Sequence, residues 1–121
     1  MRRLLTALAA TVLPFTGCPI YDDGGVICTE IFVYGLNVTV TDAATGGVIE
    51  GATLTLTEGD FTETMMEVNP GDYVGAGERA GTYILTVEAE GYATQTVEDI
   101  TIDADECHVI PVTENVALTS N

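Results

Sequence analysis

The chain has 121 residues, of which 46% are hydrophobic, so we expect one folded domain and exclude a wholly disordered chain. Its formal net charge is -16, from 19 acidic residues against three arginines and no lysine. Such a chain lacks a cationic surface, and this excludes binding to nucleic acid and disfavours anionic lipid headgroups.

The N-terminal residues 1–17 have the organisation of a lipoprotein signal peptide. Arg2 and Arg3 precede an apolar run whose helix-compatible part ends at Pro14 after roughly ten residues, too short to cross about 30 Å of hydrocarbon. The following segment, Phe15-Thr16-Gly17-Cys18, resembles the bacterial lipobox. The resemblance implies that the peptide is cut before Cys18 and that the thiol of this residue carries lipid. A transmembrane anchor that stays attached is the alternative.

Residues 18–26 are then an acidic, glycine-containing tether between the lipid and the domain. Fully extended, this tether reaches at most about 30 Å, which keeps the domain near the membrane. Pro19 stands where an aspartate would resemble an inner-membrane retention signal, so an outer-membrane or outer-surface destination is favoured. Cleavage removes both N-terminal arginines and leaves one arginine against 19 acids, a net charge of 1 - 19 = -18.

The lipobox resemblance also bears on the three cysteines. Assigning Cys18 to lipid leaves Cys28 and Cys107, an even number in an exported chain, and we predict a disulfide between them. This bond closes a loop of 107 - 28 + 1 = 80 residues. The alternative, a nucleophilic pair of Cys107 and His108, is disfavoured because adjacent strand residues point to opposite faces.

From Cys28 onward, apolar and polar residues alternate with the period of two that is typical of half-buried strands. The predicted inward-facing residues are Leu36, Val38, Val40, Ala52, Leu54, Leu56, Tyr83, Leu85, Val87 and Ala89. Ile84 breaks the pattern, and Pro111 indicates an edge strand or a bulge. Turn signals recur at 45–47, 58–60, 69–72, 80–82 and 90–92. This spacing predicts an all-β antiparallel sandwich of about seven strands.

Two segments, LNVTVTDAATGGVIEGATLTLTEGDFTET and ERAGTYILTVEAEGY, resemble the carboxypeptidase regulatory-like domain over about residues 36–102. The matching positions are Asp42, Thr45, Gly46, Gly51, Ala52, Gly59, Gly81, Tyr83, Gly91 and Tyr92. The resemblance implies a Greek-key sandwich of the prealbumin (transthyretin) type, which we assign to residues 27–121. It also implies a structural or interaction role, since in metallocarboxypeptidases this module carries no catalytic residues.

The residues that could carry chemistry are few. His108 is the sole histidine and Ser120 the sole serine, which argues against a multi-histidine metal site and an ordinary serine triad. Tryptophan is absent, which weakens sugar binding. The weak metal candidate is the DADE segment with Asp103, Asp105 and Glu106, but a solvated acidic turn is favoured because the EF-hand glycine and distal glutamate are missing.

Arg79 is the only cation expected in the mature domain. We expect it to pair with a carboxylate and to hold the turn before Tyr83.

The expected function is therefore a lipid-anchored module of the bacterial cell envelope with a structural or protein-interaction role. We expect no catalytic activity, no cofactor and a monomer, with the membrane and an unidentified envelope protein as partners. The alternative is a domain that binds a small ligand, calcium or a glycan, at the cell surface. A hydrolase would need a nucleophile and base pair that the sequence does not reveal.

Overall fold

The computed structural model describes Cys28 and residues 30–121. The predicted signal peptide at 1–17, the tether at 18–26 and the lipidation site Cys18 lie outside the described residues. The described chain contains eight strands: β1 (Tyr34–Asp42), β2 (Thr53–Glu58), β3 (Phe61–Thr64), β4 (Met66–Asn69), β5 (Asp72–Gly77), β6 (Gly81–Glu88), β7 (Gln95–Ile102) and β8 (Val112–Leu118). In this part of the chain, no helix is long and apolar enough to cross a membrane.

The strands form two four-stranded sheets, in the orders β4-β5-β1-β8 and β3-β2-β6-β7. Every pairing between these named strands is antiparallel except that of β1 with β8, which runs parallel from Leu36↔Val112 to Asp42↔Leu118. The predicted all-β sandwich is confirmed. It has eight strands where about seven were expected, and one of its pairs is parallel.

The hydrophobic core lies between the sheets and follows the predicted alternation. The inward residues of β1, β2 and β6 are buried: Leu36, Val38, Val40, Leu54, Leu56, Tyr83, Leu85 and Val87. Ile84, the predicted exception, lies 43% exposed on the outer face of β6. Burying each large aliphatic side chain stabilises the fold by about 1.5–3 kcal/mol relative to leaving it in water, so this alternation is the main determinant of the sandwich.

Four of the five predicted turns lie at the junctions between strands, whereas the one at 80–82 is wrong because Gly81 and Thr82 already belong to β6. After β1, the Asp42 carboxylate accepts hydrogen bonds from the backbone N–H groups of Ala44 and Thr45, at 2.7 and 3.0 Å. Gly46 completes this turn with a φ of 78°, a conformation that glycine adopts without the strain a β-carbon would bring. Pro111 directly precedes β8, which is an edge strand as expected.

Tyr73 on β5 connects the core to the segment between β1 and β2. Its side chain is only 1% exposed. Its hydroxyl donates to the Ile49 carbonyl and accepts from the Ala52 N–H, both at 2.9 Å. Burial raises the pKa of this phenol, so it remains a neutral donor at physiological pH. The hydroxyl thus adds two hydrogen bonds to a segment that is also held to β1, by the Ile49 N–H on the Val40 carbonyl, and to β4, by the Gly51 N–H on the Glu67 carboxylate.

Candidate functional site

The predicted disulfide between Cys28 and Cys107 is formed, with the two Cα atoms 5.2 Å apart. It joins the segment before β1 to the loop at 103–111, which connects β7 to β8. Cys107 and His108 lie in a bend of this loop and not on a strand, so the strand placement expected from the sequence is wrong. With its sulfur in the disulfide, Cys107 has no free thiolate to act as a nucleophile.

His108 and Glu78 tie the same loop to the turn between β5 and β6. The imidazole Nδ1 lies 2.6 Å from the Glu78 carboxylate, which also accepts the Val33 N–H at 2.9 Å. Partial burial would raise the pKa of Glu78, but hydrogen bonds from His108 and from the backbone of Val33 and Val109 lower it overall. One carboxylate therefore connects three segments that are far apart in sequence.

The acidic turn at 103–106 is organised around Asp105. Its carboxylate accepts the N–H groups of His108 and Cys107, at 2.9 and 2.8 Å, and these two hydrogen bonds lower its pKa. Across Cys28 and residues 30–121, no three His, Cys, Asp or Glu residues come together in a group that could hold a metal ion. Asp103, Asp105 and Glu106 form no such group.

Arg79 pairs with a carboxylate as expected, and its partner is Glu58 at the end of β2, 2.7 Å away. The same guanidinium nitrogen, Nη1, donates to the Tyr83 hydroxyl at 2.9 Å, and that hydroxyl donates to the Arg79 carbonyl at 2.7 Å. Hydrogen bonds with Tyr83 and then Glu58 raise the pKa of Arg79. Its guanidinium carbon also lies 3.7 Å from the centroid of the Phe61 ring, a cation–π contact.

These contacts form one wall of an open groove of about 450 Å³. We call it the aromatic groove; its lining residues are Phe32, Tyr34, Phe61, Thr62, Glu63, Gly77 and Arg79. The tip of the Phe32 ring lies against Gly77, where any β-carbon would collide with the ring. The rings of Phe32 and Tyr34 meet edge to face, with centroids 5.1 Å apart. The groove therefore exists because glycine stands at the end of β5.

Glu63 on β3 also lines the groove. Glu63 accepts the N–H of Ala76 at 2.9 Å and so bridges the edge of one sheet to the end of β5 in the other. Phe32 remains 63% exposed, although it is a large apolar ring. The groove is thus a preformed concave surface with aromatic walls and two charged groups at its margin.

Sequence reasoning missed the aromatic groove. Phe32 and Gly77 are far apart in sequence, and their contact depends on the pairing of β1 with β5 at Tyr34↔Gly77. The one available signal is the apolar run IFVY at 31–34, which departs from the alternation that starts at Leu36.

A family model described as the carboxypeptidase regulatory-like domain matches residues 35–119. The match covers 119 - 35 + 1 = 85 of the 121 residues and runs through all eight strands apart from the first residue of β1. It extends beyond the stretch at 36–102 on which the sequence resemblance was based. No curated protein matches the chain.

Proposed function

The chain belongs to the carboxypeptidase regulatory-like domain family, and on this premise we propose that it is a non-catalytic module of the bacterial cell envelope. In this proposal, lipid at Cys18 holds the module to a membrane, with the outer membrane or outer surface favoured. Its role is structural or lies in binding another envelope protein. It acts as a monomer, needs no cofactor and binds no nucleic acid.

The proposal that the module is not catalytic is supported by the hydrogen bonds that its carboxylates make. Asp42, Glu58, Glu78 and Asp105 each accept backbone N–H groups of the domain itself, at 2.7 to 3.4 Å. Each of their pKa values is lowered, whereas a carboxylic acid that donates a proton near neutral pH needs a raised one. These groups therefore serve the fold, as expected of a structural module.

The disulfide supports an extracytoplasmic location. Disulfides persist in oxidising compartments such as the periplasm and the cell surface, and are rare in the cytosol. Cys28 is the first described residue and follows Cys18 by ten positions (28 - 18), so the bond lies close to the proposed lipid attachment.

The intact mass of protein extracted from membranes tests the anchor. We expect a chain that begins at Cys18 and carries additional acyl mass, and we expect the Cys18→Ser variant to be released from the membrane fraction. A wild-type chain that still begins at Met1 would contradict cleavage. A chain that begins at Cys18 without added mass would contradict lipidation alone.

Proximity labelling in native cells tests the interaction role. The wild-type protein is compared with an unrelated β-sandwich of similar size carried on the same lipobox and tether. We expect a reproducible set of envelope proteins to be labelled more strongly by the wild-type protein. Equal labelling by both proteins would remove the support for a specific partner.

A further inference from the structure

The end of the sandwich that carries the disulfide is strongly acidic. We call it the disulfide end; it comprises the starts of β1, β3, β6 and β8, the ends of β2, β5 and β7, and their connections. Seven carboxylates lie on these elements: Glu58, Asp60, Glu63, Glu78, Asp103, Asp105 and Glu106. Arg79 is the only lysine or arginine among the described residues, and Glu58 neutralises it. The potential at this end is therefore negative and attracts cations.

The aromatic groove opens at the same end. Its exposed Phe32 ring and the edge-on Tyr34 ring offer apolar surface that water contacts in the free protein. An open volume of about 450 Å³ accommodates one large apolar side chain. Because Gly77 and Phe32 are already packed against each other, a ligand can bind without first forming the pocket.

An open strand edge runs beside the groove. Strand β3 is the last strand of its sheet and pairs only with β2. Phe61 and Glu63, on one face of β3, both line the groove. An extended segment that added to this edge would gain main-chain hydrogen bonds and would direct every second side chain toward the groove.

We propose that the aromatic groove binds an extended, cationic segment of a partner protein, with one large apolar side chain inserted between Phe32 and Phe61. Lysine or arginine side chains on either side of that anchor pair with the carboxylates of the disulfide end. The groove supplies the apolar anchor site, and the surrounding charge selects the partner and speeds its association. This proposal deepens the interaction role and rests on it, but it does not depend on the lipid anchor.

Electrostatics favours a cationic segment over two other candidate ligands of the groove, a second copy of the chain and a lipid surface. A second copy of the chain would bring an equally acidic surface against the same end, and like charges in contact oppose association. A lipid surface would place the same seven carboxylates next to phosphate groups, which repel them in anionic lipid, and zwitterionic lipid offers no net positive charge to attract them. A cationic segment is attracted by the same carboxylates that oppose binding of a second copy of the chain or of a lipid surface.

Three pentapeptides test the proposal on the ¹⁵N-labelled full chain by NMR titration. The probe is acetyl-KTFTK-amide, in which the phenylalanine and both lysines point to one side of an extended strand. Acetyl-KTATK-amide removes the anchor, and acetyl-ETFTE-amide reverses the charge. We expect shifts centred on Phe32, Thr62 and Gly77 with the probe, about tenfold weaker binding without the anchor, and no binding after charge reversal.

Two protein variants locate the binding surface. Phe32→Ala should weaken probe binding about tenfold, whereas Ile84→Ala, which truncates an exposed apolar residue on the outer face of β6, should leave it unchanged. Both side chains are exposed, so the amide spectrum should remain that of the folded domain.

Four results would overturn the proposal: equal binding of KTFTK and KTATK, equal binding by both variants, Phe32-dependent binding to phosphatidylcholine vesicles in place of the probe, or Phe32-dependent self-association. The titration needs no lipid on the protein, so failed peptide binding leaves the mass test of the anchor unaffected. Likewise, if the mass test found a chain that still begins at Met1, the interpretation of the peptide titration would not change.

Discussion

Replacing Tyr73 by phenylalanine should lower the free energy of unfolding by about 2–3 kcal/mol. The ring stays in its core position, so the change removes only the hydroxyl. That hydroxyl bonds the Ile49 carbonyl and the Ala52 N–H at 2.9 Å each, and both partners lose their hydrogen bond. A net hydrogen bond contributes about 1 kcal/mol, and a polar group left buried and unpaired costs about 1–3 kcal/mol.

The matched control for this prediction is Tyr34→Phe. It removes the same atom from a half-exposed ring whose packing against Phe32 is retained. Urea unfolding followed by far-UV circular dichroism suits the protein, because it contains no tryptophan. We expect the melting temperature of the Tyr73→Phe variant to lie roughly 8–24 °C below that of wild type, given the usual scaling for a domain of about 100 residues. Unfolding free energies that agree within about 0.5 kcal/mol for the two variants would refute the assigned role of the hydroxyl.

Three further predictions concern the disulfide end. Replacing both Cys28 and Cys107 by alanine should lower the unfolding free energy by up to about 4–5 kcal/mol, the chain-entropy value for this loop; a loss below about 1 kcal/mol in urea unfolding would contradict that estimate. Because the folded pKa of Asp105 is lowered, its contribution is present above the ordinary value of 3.8 and is lost as pH falls through the folded pKa. Asp105→Ala should therefore destabilise the protein more at pH 7 than at about pH 2, and equal destabilisation at both pH values would argue against this coupling. Calcium at about 1 mM should produce the same small change in melting temperature in wild type and in the Asp103→Asn, Asp105→Asn variant at fixed ionic strength, whereas a shift confined to wild type would establish a calcium site.

The parts of the fold that the sequence predicts are those in which one face of a strand is buried. On β1 and β6 the buried and exposed residues alternate, so the apolar pattern alone identifies the strand and its inner face. The disulfide could also be predicted, once the lipobox resemblance had assigned Cys18. The pairing of Arg79 with a carboxylate could be predicted because it is the only lysine or arginine in residues 30–121, which are strongly acidic.

Strand β5 shows why other parts could not be predicted. Tyr73, Val74, Gly75 and Ala76 are all buried, so no alternation marks the strand. The parallel pairing of β8 with β1 was missed for a different reason. Alternation indicates which face of a strand is buried, but it is the same for parallel and antiparallel partners. The aromatic groove depends on the first of these features, since it forms where β5 ends beside the start of β1.

Because of its location, Arg79 has little effect on the negative electrostatic field around the domain. The Arg79 guanidinium contacts Glu58, the Tyr83 hydroxyl and the Phe61 ring. It therefore neutralises one carboxylate locally and leaves the electrostatic field of the other acidic residues almost unchanged. The remaining carboxylates give the described surface a negative potential that opposes contact with anionic lipid and with other copies of the chain. In the binding mode proposed above, the same field attracts a cationic segment to the end that carries the aromatic groove. Since salt screens such fields beyond about 8–10 Å at physiological strength, we expect partner association to slow steeply as salt is raised, while the apolar contact at Phe32 changes little.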